Sequence, residues 1–222
     1  LAKRNDANLH VLHLTTKKEM DQFVSGAIDG KKITAEVCVH HLRFNEHDYV
    51  DLGNQIKCNP SIKKEEDRAA VMAALLNDQI DIIATDHAPH TWEEKSGPYS
   101  KAPAGLPLVQ HAVQVLLDFY HDGTLSLEHI VKKTSHNVAK RFQIKDRGYI
   151  REGYYADLVI LDIEKPHTVK KEDLLYKCGW SPFEGTSFNS SINTTIINGH
   201  IVYKDSKIQE NIRFGKQIEF SR

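Results

Sequence analysis

The stretch KEEDRAAVMAALLNDQIDIIATDHAPH, residues 64–90, decides the fold class. Residues 64–78 place Ala70, Ala73, Ala74 and Asn77 at helical spacing, which predicts an amphipathic helix. IDIIAT (80–85) is nearly all apolar and β-branched, the pattern of a strand covered on both faces. A helix running straight into such a strand is half of a parallel βα unit, and the pattern recurs upstream. LHVLHL (9–14) and ITAEVCV (33–39) read as two more strands. Between them KKEMDQFVSGAI predicts a helix, capped by Thr16 and ended at Gly30. Downstream, DHAPHTWEEKSGPYSKAPAGLP (86–107) is a long Pro- and Gly-rich loop, of a length usually tied to function. LVQHAVQVLLDFY, SLEHIVKKT and SHNVAKRF predict helices. From Gly148 the texture changes to short strands and Asn-Gly turns, in YIREGYYADLVILDIE, KPHTVK and NTTIINGHIVYKD. The expected class is therefore α/β: part of a βα barrel or doubly wound sheet over residues 1–147, then a small β-rich module and tail over 148–222. Three βα units are too few to close an eight-stranded barrel, which takes about 250 residues.

Composition narrows the function. The 222 residues carry 29 Lys plus Arg against 30 Asp plus Glu, so charge gives no case for nucleic acid or an anionic membrane surface. The longest apolar runs, such as LVIL (158–161), fall far short of the roughly 20 residues that span a bilayer. No charged-then-apolar leader opens the sequence, and Cys38, Cys58 and Cys178 form no C-x-x-C pair, so the expectation is a reducing, cytoplasmic setting. The 13 histidines are the compositional oddity.

His13 ends the first strand and Asp86 the third, and strand C-termini are where ligands and catalysts gather in parallel α/β folds. Imidazole with carboxylate suits zinc or a similar divalent ion. A satisfied structural role is the blander reading of His13, and a cap on the following loop that of Asp86. Asp86-His87-Ala88-Pro89-His90 sets three ionisable groups around a Pro-stiffened turn, directly after a buried strand.

From about residue 9 to 205 the sequence resembles the dihydroorotases of the amidohydrolase superfamily. The resemblance rests on ATDHAPHT, on CNPSIKKEEDRAAVMAALLNDQIDII before it, and on LHVLHLTT, ITAEVCVHHL, TSHNVAKRF and GYIREGYYADLVILD. It implies the C-terminal part of a (β/α)8 barrel, about strands six to eight, with a binuclear zinc site at its mouth. By the same resemblance His13 is a metal ligand, and Asp86 ligates the other metal and shuttles the proton. His90 grips the substrate carboxylate, Asn59 contacts the pyrimidine ring, and Ala104 and Gly105 offer backbone groups. The implied substrates are dihydroorotate and carbamoyl aspartate, interconverted in de novo pyrimidine synthesis. The implied partner is the N-terminal part of the same barrel, and a homodimer is left open.

Other residues are expected to play lesser parts. Val39 replaces the family's Pro before His40 and His41, which are taken as structural or supporting, and His87 as an orienting neighbour. Cys38 and Cys58 are expected in core or loop, and Trp180 in packing between barrel and module. The family's His-x-His pair, bridging Lys and further His have no match here, so the remaining ligands are expected outside this chain. The rival readings are a hydantoinase or allantoinase, which need no group for a ring carboxylate, and a non-catalytic dihydroorotase-like assembly domain.

Overall fold

A computed structural model describes residues 1–209 and 213–221. Three parallel strands, β1 (Leu9–Val11), β2 (Ile33–Cys38) and β3 (Ile82–Ala84), lie in the order β1-β2-β3. Leu9 pairs with Ile33 and Glu36 with Ile82, so all three strands end at one rim. On β2 the alternation sends Ala35 and Val37 to one face and Thr34, Glu36 and Cys38 to the other. His10 of β1 meets the second set: its Nδ1 lies 2.8 Å from Thr34 Oγ1 and its Nε2 2.9 Å from Glu36 Oε2.

The first helix is shorter than its sequence pattern. Thr16 and Glu19 form a capping box, with Glu19 accepting the Thr16 N–H at 2.8 Å, but α1 covers only Lys17–Met20. Gly26, at φ 122°, is incompatible with a helix reaching residue 28. Short turns of helix follow β2: α2 (Val39–Arg43) and α3 (Tyr49–Leu52). The long helix α4 (Glu65–Leu76) buries Val71, Met72, Ala74 and Leu75, while Ala73 and Asn77 face solvent. The buried face of α4 thus differs from the stripe of Ala70, Ala73, Ala74 and Asn77, of which only Ala74 is buried. Burying Val, Met or Leu is worth roughly 1.5–3 kcal/mol each, more than burying alanine, so the larger side chains set the face. After β3 come α5 (Trp92–Lys95), α6 (Ala112–His121), α7 (Leu127–Val131) and α8 (Asn137–Phe142), the last two joined by a π-helical turn.

The remaining strands are β4 (Leu158–Asp162), β5 (His167–Thr168), β6 (Ser187–Phe188), β7 (Ser191–Ile197), β8 (His200–Lys204) and β9 (Lys207–Ile208). They form an antiparallel sheet in the order β4-β7-β8-β9 and a separate β5-β6 pair. Val169, Phe183 and Phe188 from this region join the same apolar cluster as Val37, Leu42, Leu75 and Leu116. Phe44 stacks on Phe183 at 5.5 Å.

The end of the parallel sheet away from the rim is pinned by ions. Asp81, just before β3, accepts the Ala35 N–H at 3.0 Å and the Lys31 ammonium at 2.8 Å, and its own carbonyl accepts Asn137 Nδ2 at 2.7 Å. Removing one partner of a buried pair strands the other charge. Asp81→Ala is therefore expected to cost about 3–5 kcal/mol in denaturant unfolding. A loss below about 1 kcal/mol, the surface-pair range, would contradict that role.

Candidate functional site

His13 and Asp86 each stand two residues past a strand end, His13 after β1 and Asp86 after β3. Both occupy the left-handed region, at φ 39° and 47°. Such a conformation costs a non-glycine residue about 1–3 kcal/mol and collects at functional sites. Among the described residues neither side chain makes a hydrogen bond or an ion pair. Asp86 is exposed and His13 half-buried.

Cys38, His40 and His41 fill the space at the end of β2, with their ligand atoms all within 4.8 Å of one another. All three are buried. Among the described residues, both ring nitrogens of His40 and Nδ1 of His41 have no hydrogen-bond partner. His41 Nε2 lies 2.9 Å from the Pro60 carbonyl, with Cys58 Sγ at 3.7 Å. Burial draws His41 down to about 4 and His40 well below the usual imidazole range, with the charge of His13 adding to both. Burial also pushes the Cys38 thiol up, helped by the charges of Glu36 and Asp86. The site is thus built around two neutral imidazoles and a protonated thiol. A buried nitrogen left unpaired costs about 1–3 kcal/mol, so these atoms stand out from the rest of the core. The other two histidines near the strand ends are engaged. His10 is bonded to Thr34 and Glu36, and His87 Nδ1 accepts the Leu108 N–H at 3.0 Å. Burial lowers the His87 pKa, which suits that acceptor role.

Past Asp86 the chain folds against itself. Ala88 N donates to the Leu106 carbonyl at 3.0 Å, and His90 Nε2 donates to the Ala104 carbonyl at 3.2 Å. His90 Nδ1 faces Glu94 at 3.5 Å. Gly105 sits at φ 142°, and a Cβ there would meet Ala88 Cβ at 2.6 Å and His90 Cδ2 at 3.0 Å, so only glycine allows this approach. Its N–H donates to the Lys57 carbonyl at 2.9 Å. Among the described residues the Ala104 N–H makes no hydrogen bond, which leaves it as the backbone donor of the pair. Asn59, two residues after the bonded Lys57, is exposed. The structure therefore joins His90, Ala104, Gly105 and the 57–59 loop into one ledge, and the Asp86–His90 segment connects that ledge to the strand ends.

Two residues hold the ledge in a way that their sequence context does not signal. Trp180, expected only to pack, donates its indole N–H to the His90 carbonyl at 2.8 Å. Lys95 is buried under the loop and donates to the carbonyls of Lys57, Pro103 and Gly105. Its place in the polar run WEEKS reads as a solvated helix face, and only the return of the chain over it makes it interior.

Chemically, His13 and Asp86 offer an unbonded imidazole and an unbonded carboxylate, a nitrogen–oxygen donor set that fits zinc or a similar ion, with the buried imidazole of His40 also unbonded nearby. A catalytic zinc takes three protein ligands, so His13 and Asp86 alone fall short of a complete shell.

Residues 7–202 match the model of the amidohydrolase family. The dihydroorotase of Clostridium acetobutylicum is 37% identical over 206 residues, which are 92% of this chain and 48% of that protein. The L-hydantoinase of Arthrobacter aurescens shares the fold at TM-score 0.85 and 24% identity, over 94% of this chain and 47% of that one. The inactive dihydroorotase-like domain of a Chaetomium thermophilum CAD-like multifunctional protein superposes at TM-score 0.69 and 20% identity, over 94% of this chain and 55% of that one. The chain spans about half the length of the curated relatives it matches. With the match running almost from end to end, and with a free histidine and aspartate at parallel strand ends, this chain belongs to the amidohydrolase family.

Proposed function

We propose that this chain is the C-terminal part of a zinc-dependent dihydroorotase, contributing about strands six to eight of its barrel. In this reading residues 1–147 are barrel and 148–222 the β-rich module, and the enzyme interconverts dihydroorotate and carbamoyl aspartate in pyrimidine synthesis. The observation that carries it is the pair His13 and Asp86, both unbonded and both in strained backbone at the strand ends, beside a ledge on which His90 is held. The likeness to a curated dihydroorotase supports the same choice.

His13 and Asp86 would each hold one of two zinc ions, with the other ligands coming from the half of the fold that these residues do not contain. Zinc bound there would supply Lewis-acid polarisation of the ring amide and lower the pKa of water. The rest falls to the chain's own groups. Asp86, exposed and free of other bonds, takes the proton of the attacking water and returns it to the leaving ring nitrogen, so one carboxylate serves as base and then acid. His90 and the free Ala104 N–H face the substrate carboxylate, and Asn59 the ring edge. Sheet geometry alone would also suit a hydantoinase, as the Arthrobacter fold shows, but that chemistry has no ring carboxylate for His90 to hold. An inactive assembly domain is favoured by the Chaetomium likeness. It leaves the two strained, unbonded strand-end residues without a purpose. No helix of the described residues is long and apolar enough to cross a membrane.

His90→Ala tests the carboxylate role. In the complete enzyme it should raise KM for dihydroorotate by the worth of a hydrogen bond to a charged group, roughly 1.5–3 kcal/mol, with zinc content unchanged. Loss of zinc in this variant would make His90 a ligand and overturn the assignment.

A further inference from the structure

Lys95 is 2% exposed, and among the described residues no carboxylate pairs with it. Its ammonium has three N–H groups and three main-chain acceptors: the carbonyls of Lys57 at 3.1 Å, Pro103 at 3.0 Å and Gly105 at 2.9 Å. The Trp180 ring lies on another side, 5.9 Å from Nζ. These acceptors belong to the two loops that form the ledge. Lys57 stands two residues before Asn59, and Pro103 and Gly105 flank Ala104. The Lys57 carbonyl takes both Lys95 Nζ and the Gly105 N–H, so a single ammonium locks the two loops together. Asn54 Nδ2 in turn holds the Lys95 carbonyl at 2.9 Å. A charge buried without a counterion is costly, and a loop of this length needs something to order it. The geometry puts that cost where the substrate would be gripped.

We propose that Lys95 is the positioning residue of the carboxylate-binding ledge, holding Asn59, Ala104 and Gly105 opposite His90 through three backbone carbonyls. The proposal rests on the dihydroorotase reading. Lys95 does not touch the metal ligands or the proton path, so its loss should fall on recognition of the ring carboxylate. It should spare the chemical step. Burial, with the charge of Lys57, draws Lys95 down to about 8. Cys58, the other titratable group facing it, is pushed up to about 12 and stays a thiol across that range. The ledge should therefore loosen as pH rises through about 8.

The test uses the complete enzyme, as wild type, Lys95→Met and Lys95→Arg, with two readouts. In hydrogen exchange without substrate, the Gly105 amide should lose protection about tenfold or more in Lys95→Met, a loss of about 1.4 kcal/mol or more by the equilibrium relation. In kinetics, KM for dihydroorotate should rise about tenfold, with kcat within about threefold and KM for dihydrouracil, the same ring without the carboxylate, little changed. Wild-type KM should climb above pH about 8, and Lys95→Arg, which stays charged, should lack that climb. Unchanged exchange at Gly105 would overturn the proposal. So would equal losses in kcat and KM for both rings, and so would a wild-type KM flat from pH 7 to 10. If Lys95→Met does not fold, the wild-type pH series and Lys95→Arg still decide. Failure of the wild type to turn over dihydroorotate would defeat the dihydroorotase reading, and the exchange arm would then judge the hold of Lys95 by itself.

Discussion

Asp86→Asn in the complete enzyme is expected to lower kcat by about 10²-fold or more, the lower end of what a positioned acid–base group contributes. The substitution isolates chemistry from shape. Asn tolerates the left-handed backbone nearly as well as Asp, so φ 47° can persist. The side chain has no hydrogen bond to lose, so no local structure depends on the carboxylate. What disappears is a basic oxygen and an anionic ligand. Steady-state kinetics with zinc analysis of the same sample would separate the two losses. Near-normal turnover would show that the proton moves through another group.

The second large effect concerns residues 1–222 by themselves, which should hold well under one zinc per chain and show no dihydroorotate hydrolysis. Two free ligands do not complete a catalytic shell, and by the proposed assignment they serve different ions. Of the other donors near the strand ends, His10 and His87 are bonded elsewhere, Cys38 would have to lose a proton in a buried site, and His40 and His41, though partly unbonded, are buried. Among the described residues no strand pairs with the outer edges of β1 and β3, and open edges of this kind invite aggregation. Leu9 and Leu12 are partly exposed beside the β1 edge, where a barrel neighbour would cover them. Zinc analysis and an activity assay on the purified chain check this. Stoichiometric zinc with turnover from a soluble monomer would mean that His40 and His41 had been recruited as ligands.

Much of this was legible in the sequence where one physical signal dominated. A nearly continuous apolar run marked β3, because a doubly covered parallel strand has no polar face to confuse the pattern. The placing of His13 and Asp86 just past strand ends was legible because the strands before them were. Periodicity misled where competing residues shared a helix. Ala73 fits the apolar stripe of α4 as well as Met72 does, and only packing shows which one is inside. In the first helix the stripe runs on through Phe23 and Ile28, but Gly26 takes a non-helical φ and ends it. The orphaned nitrogens of His40 and the burial of Lys95 depend on chain segments many residues away, and no local pattern announces them. The same holds for Trp180, whose bond to His90 spans 90 residues.

In the proposed function the ledge beside Asp86 grips a ring carboxylate. The most direct measurement is kcat/KM of the complete, zinc-loaded enzyme on dihydroorotate against dihydrouracil and hydantoin. The expected preference for dihydroorotate is about 10-fold to 150-fold from one charged hydrogen bond worth roughly 1.5–3 kcal/mol, and larger where His90 and the Ala104 N–H both contribute. Equal or faster turnover of the rings that lack a carboxylate would contradict it.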